Sequence, residues 1–169
     1  TGSLTLTSNN IAITSSGSVL SVSGGVVLDA GTKAVSVNLS GSKIGGSLGI
    51  IAGVDSTVIA TGALDLGTVT LTGAGVDLAV TTTGNVTDSG VVTVPGTTSI
   101  NAGSGSITLD SGSIYTGNVS LIGRNVALSN TIATNLGAIT ATGTLSITSS
   151  STIDDNGLIT AGGLPRCLA

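Results

Sequence analysis

The chain has 169 residues, 7% of them charged, with four Lys and Arg against eight acidic residues, all Asp, and no His, Trp, Phe or Met. Phosphate backbones and anionic membranes are held by clustered cations, so Lys33, Lys43, Arg124 and Arg166, scattered as they are, argue against both partners. The single Cys, Cys167, excludes an internal disulfide and a cysteine metal cluster, and without His no Ser, Thr or Cys has an imidazole base for nucleophilic catalysis.

Taken in order, the chain repeats one pattern: Gly, apolar residues two and four places on, Gly or Ser at six, apolar residues at nine and eleven. The chain starts at Thr1 without Met or a leader pattern, which reads as a processed protein or an excised segment. Gly2 leads to Leu4, Leu6, Ser8, Ile11 and Ile13. Looser versions follow in "GVVLDAGTKAVSVNL" and "GSLGIIAGVDSTVIATG". Gly67 leads to Val69, Leu71, Gly73, Val76 and Leu78, and Gly117 to Val119, Leu121, Gly123, Val126 and Leu128. Gly137 gives Ile139, Ala141 and Gly143, with Leu145 and Ile147 one place early. Gly157 gives Ile159, Ala161 and Gly163 before "LPRCLA" closes the sequence. The spacing is about twenty to twenty-one residues, which sets a repeat domain at 1–163 and a short tail at 164–169.

Apolar residues two apart define strands, since alternate side chains share a face. The strands are four to six residues long and end at Gly, Asn or Asp, which turn the chain. Val, Ile and Thr favour strand over helix. Hairpins would give short strands without a fixed return, whereas one coil per repeat gives both. The predicted fold is therefore all-β: a single right-handed parallel β-helix, a β-solenoid of about eight coils. At ~4.8 Å per coil the rod is about 40 Å long. Aliphatic ladders fill its interior, and Thr, Ser and Asn cover it. A mean hydropathy of +0.61 argues against disorder. No apolar run reaches the ~18 residues of a membrane helix, and the runs are too short, and too poor in aromatic residues, for a membrane barrel.

The Gly2 run, its copies at Gly67 and Gly117, and "GTLSITSSSTIDDNGLITAGG" resemble filamentous-haemagglutinin-type repeats over residues 1–163. Those are bacterial surface or secreted exoproteins built as right-handed parallel β-helices, many of them adhesins that leave the cell by two-partner secretion. The resemblance implies a structural or adhesive role outside the cell or at its surface. The Asn-Pro motifs of their secretion domain are absent, since Pro95 and Pro165 do not follow Asn, so the secretion route and receptor are not carried over.

Candidate chemistry is sparse. Polysaccharide-active β-helices use carboxylates on one face, often with Lys, Arg or a metal. Asp154–Asp155 is the only acidic pair, and Asp-Asp-Asn-Gly reads as a turn. Tyr115, the only aromatic residue, reads as a surface or coil-edge residue. "GAGVDLAV" (73–80) partly matches a calcium nonapeptide, but Thr72 stands for its first Gly and the motif is not repeated in tandem. Asp29, Asp55, Asp65, Asp77, Asp88 and Asp110 read as solvated turn residues. Thr-x-Thr runs at 5–7, 68–72, 81–83 and 140–142 raise an ice-binding face but do not recur in every coil.

The expected function is thus a non-catalytic shaft or fibre subunit with no catalytic, cofactor or metal residues. An ice-binding β-helix and a polysaccharide-active enzyme are the alternatives. Neither end carries a recognisable cap, so coils are expected to stack there, from further repeats of a longer chain or from a second molecule. In that join the ladder passes from Ile159 and Ala161 to Leu4 and Leu6. Val119, Leu121, Val126 and Leu128 are expected to point inward beneath Ile139, Ala141, Leu145 and Ile147.

Overall fold

The computed structural model describes residues 2–17, 19–163 and 166–168, among which there is no helix. The first coil carries β1 (Leu4–Thr7), β2 (Ile13–Ser16) and β3 (Ser21–Val22), and the second β4 (Val26–Asp29), β5 (Val35–Leu39) and β6 (Lys43–Ile44). The third has β7 (Leu48–Ala52) and β8 (Ser56–Ala60), and the fourth β9 (Leu64–Leu71) and β10 (Leu78–Thr81). Next come β11 (Val86–Asp88), β12 (Val92–Val94) and β13 (Thr98–Asn101), then β14 (Ile107–Leu109), β15 (Ile114–Tyr115) and β16 (Asn118–Gly123). The seventh coil has β17 (Val126–Asn130) and β18 (Thr134–Ala141), and the eighth β19 (Leu145–Ser149), β20 (Ile153–Asp155) and β21 (Ile159–Ala161). β22 (Arg166–Leu168) adds one more rung on β19, within the segment expected as a tail.

Each strand pairs in parallel with its counterpart one coil away. The first sheet runs β1-β4-β7-β9-β11-β14-β17-β19-β22, with β12 and β15 attached. The second runs β2-β5-β8-β10-β13-β16-β18-β20, with β21 on β18. β3 and β6 make a short third side. This is the expected single parallel β-solenoid of about eight coils. The step drifts because loops and bulges absorb residues. Leu4 lies on Val26 and Val26 on Leu48, whereas Val126 lies on Leu145. Register slips occur between Leu48 and Ile50 and between Val119 and Leu121, where the facing strands take up extra residues.

The core is made of columns. Val58, Val80, Ile100, Leu121 and Ile139 succeed one another through the second sheet, all buried. The eight residues expected inward around Leu121 are all buried, and Leu121 lies on Ile139, Val126 on Leu145 and Leu128 on Ile147. The second slip makes Val119 meet Leu136, and Ala141 meet Gly123, in place of the simple succession from Val119 to Ile139 and Leu121 to Ala141. At two corners glycine is required by contact. A Cβ on Gly105 would strike the backbone of Gly84, and one on Gly117 the backbone of Gly96.

Leu121→Ala is expected to cost about 2–5 kcal/mol through the cavity it leaves, while Thr148→Ser, exposed on β19, stays within about 0.5 kcal/mol. Chemical denaturation of the two variants measures this, and equal losses would refute the assignment of faces.

Candidate functional site

The columns place few polar groups inside, and three of them, Asp88, Ser113 and Asn130, gather in the fifth to seventh coils. In the first sheet Leu4, Val26, Leu48 and Leu66 occupy one inward column, and the next residue in it is Asp88. Asp88 is 4% exposed, so the reading of it as a solvated turn residue is corrected. Its carboxylate is matched to the turn of the next coil. It accepts the Asp110 N–H at 2.8 Å, the Ser111 N–H at 3.3 Å and the Ser113 hydroxyl at 3.0 Å. Ser113 is itself fully buried and its Oγ accepts the Val92 N–H at 3.0 Å. Burial pushes the Asp88 carboxyl above the ordinary aspartate value, against the three hydrogen bonds, which pull it down.

Beside this group lies Tyr115, fully buried rather than at the surface or coil edge. The fifth and sixth coils place it: β12 continues the second half of β9, apart from β11, and β15 lies on β12, with Tyr115 on Val94. The seventh coil has no strand to pair with β15. Asn130 replaces it with its side-chain amide, whose Oδ1 accepts the Tyr115 N–H at 3.0 Å and whose Nδ2 donates to the Tyr115 carbonyl at 3.0 Å. A carboxamide has the donor and acceptor of a peptide group, so Asn130 caps the rung that the backbone abandons. Among the described residues the Tyr115 hydroxyl has no hydrogen-bond partner, and burial, more than any other cause, holds its ionisation far above the ordinary phenol range.

The other candidates are held in coil-to-coil contacts or lie apart. Asp77 Oδ1 accepts the Thr97 N–H at 2.6 Å, and its own N–H donates to Asp55 Oδ1 at 2.9 Å, so the motif at 73–80 is a stacking device. Asp65 accepts the Ser89 N–H, and Asn85 and Asn125 do the same for Ser106 and Thr144. Asp154 and Asp155 are exposed at the end of β20, and the expected turn begins after them, where Asp155 accepts the Gly157 N–H. Among the described residues no three His, Cys, Asp or Glu side chains gather as metal ligands. The Thr runs fall on both sheets: Thr5 and Thr7 on β1, Thr140 on β18. Cys167 is exposed on β22. What this arrangement does chemically is to close backbone hydrogen bonds where the ladder is irregular.

Two buried hydroxyls, those of Thr98 and Thr134, also lack partners. Thr98 lies between Leu78 and Val119 in an apolar column. Thr98→Val removes an unsatisfied buried group at constant shape and is expected to raise stability by about 1 kcal/mol, read as a higher denaturation midpoint. Asp88 gives a second test. A carboxyl whose folded value lies above its unfolded value binds protons more readily when folded, so its contribution is full below about pH 3.8 and is lost as pH rises through the higher folded value. Asn keeps an acceptor for the Asp110 N–H and does not titrate. The stability of Asp88→Asn relative to wild type is therefore expected to rise with pH across that window, and a pH-independent difference would refute it.

A family model described as "Repeats of unknown function (DUF5649)" matches residues 1–51, 53–121 and 123–165. No curated protein and no solved structure gives a match.

Proposed function

The chain belongs to that family of repeats, and from this premise we propose that it is a non-catalytic structural protein, the shaft of an extracellular or cell-surface fibre or adhesin. The repeat β-solenoid is consistent with a structural role, and the finer reading is supported by one observation above others: the side chains of Asp55, Asp77, Asp88 and Asn130 are committed to holding one coil on the next. The resemblance to filamentous-haemagglutinin-type repeats supports the location. A shaft must carry load and resist bending, and continuous strand ladders with a filled core supply both.

The terminal strands support end-to-end association as the partner reading. β1 pairs only with β4 among the described residues, and Leu6, an inward residue further along the column of Leu28 and Ile50, is 43% exposed there. Another coil, from the same longer chain or from a second molecule, would cover it. The topology revises the expected join. Ile159 and Ala161 lie in the second sheet, whereas Leu4 and Leu6 lie in the first. A continuous ladder therefore joins β22 to β1 and β21 to β2. Leu164, expected in the joining coil, lies outside the described residues.

Pro at position 4 and Lys at position 5 block strand addition at this edge by removing a donor and adding a charge. Wild type is expected to sediment as a polymer that keeps growing with concentration, and Leu4→Pro/Thr5→Lys to form no such growing polymer, with an unchanged far-ultraviolet spectrum. A wild type that remains monomeric refutes end-to-end assembly of this chain.

A further inference from the structure

The outer face of the second sheet carries little charge, with Asp55 and Asp77 at its margin, one residue ahead of β8 and β10. From β2 to β18 its strands hold no Asp, Lys or Arg, although the chain carries a net charge of −4; the first charged residue within these strands is Asp154 on β20. One outward file on this face contains Asn38, Ile59, Thr81, Asn101, Ile122 and Thr140, one residue per coil. The file beside it holds only Ser, Thr and Ala from Thr14 to Ser120. The face therefore has short neutral side chains with two exposed aliphatic ones, Ile59 at 40% and Ile122 at 44%.

The spacing of those two decides what fits. Ile59 and Ile122 lie at equal distances on either side of the midpoint between Thr81 and Asn101. A two-fold axis through that midpoint, along the strand direction, lays a second rod antiparallel on the first while keeping the strands aligned, as packed sheets require. Ile59 then meets Ile122 of the second rod twice, Thr81 meets Asn101 twice, and Asn38 meets Thr140. Within this file each isoleucine finds an isoleucine and each amide a hydroxyl. The eight rungs from β2 to β20, the last bearing Asp154, at ~4.8 Å by four or five residues at ~3.3 Å give about 500–600 Å² per rod, or ~1,000–1,200 Å² in all, where specific interfaces begin.

We propose that this face binds a second copy of the same chain, forming an antiparallel pair of rods side by side. It differs from end-to-end stacking, which uses the edges of β1 and β22 and leaves this face open. The pair would double the thickness of the shaft and is reached from either orientation, since an isologous contact closes on itself.

The test uses the Leu4→Pro/Thr5→Lys chain, in which end-to-end growth is blocked. Sedimentation equilibrium is expected to show twice the 16.0 kDa chain mass as concentration rises. Ile59→Lys or Ile122→Lys is expected to weaken the pair at least tenfold with an unchanged unfolding midpoint. Val91→Lys, at a residue 44% exposed off this face, is expected to leave it intact. Register is read by oxidation in a Cys167→Ser background. A mixture of Ile59→Cys and Ile122→Cys chains is expected to cross-link, and either alone is not, because like residues then lie about three rungs apart. A monomer at every concentration overturns the proposal, as does equal weakening by Val91→Lys. Cross-linking of Ile59→Cys alone overturns the antiparallel register.

Discussion

The structure depends on one constraint: in a parallel coil each residue lies ~4.8 Å from its counterpart above and below, so every position must tolerate a neighbour of its own kind. Aliphatic residues satisfy this indefinitely, as the column through Val58, Val80, Ile100, Leu121 and Ile139 shows. Stacked charges repel, and the chain has few. At tight corners only glycine satisfies it, because the backbone one coil away occupies the space of a Cβ, as at Gly84 below Gly105.

The same constraint explains where polar residues were admitted. Asp and Asn side chains of one coil accept amide protons of the next at irregular places, with Asn85 on Ser106 and Asn125 on Thr144 as the exposed examples. Asp88 and Asn130 are the buried ones, placed where the long strand of the first sheet splits into β11 and β12 and where its second half ends at β15. Stability is therefore distributed along the rod rather than concentrated in a single central cluster.

The alternation of apolar and polar residues made the strands, the coil and the inward residues legible, because period two survives any loop length. It did not reveal which sheet a strand joins, since both sheets have the same inner face. The run from Gly2 begins in the first sheet with Leu4, and the run from Gly117 begins in the second with Val119, so copies matched in sequence lie half a coil apart. The register slip at Val119 was hidden because the pattern starts a repeat at Gly137, yet Gly137 and Ala138 lie inside β18. Tyr115 and Asp88 were misplaced because they lie on β15 and β11, strands of two and three residues that are too short to carry a period. The clue present in the sequence was Asn130, a polar residue at the alternating inward position after Val126 and Leu128.

The strand-to-strand hydrogen bonds of the two long sheets run along the axis of the rod, and this gives the molecule a definite mechanical character. A pull on its two ends loads all the bonds between one pair of coils together, as parallel springs. Successive pairs of coils bear the same tension in turn. The breaking force of such a rod is set by its weakest pair of neighbouring coils, whatever the number of repeats. Adding coils extends its reach at constant strength, so length and tensile limit can vary independently in proteins built on this repeat.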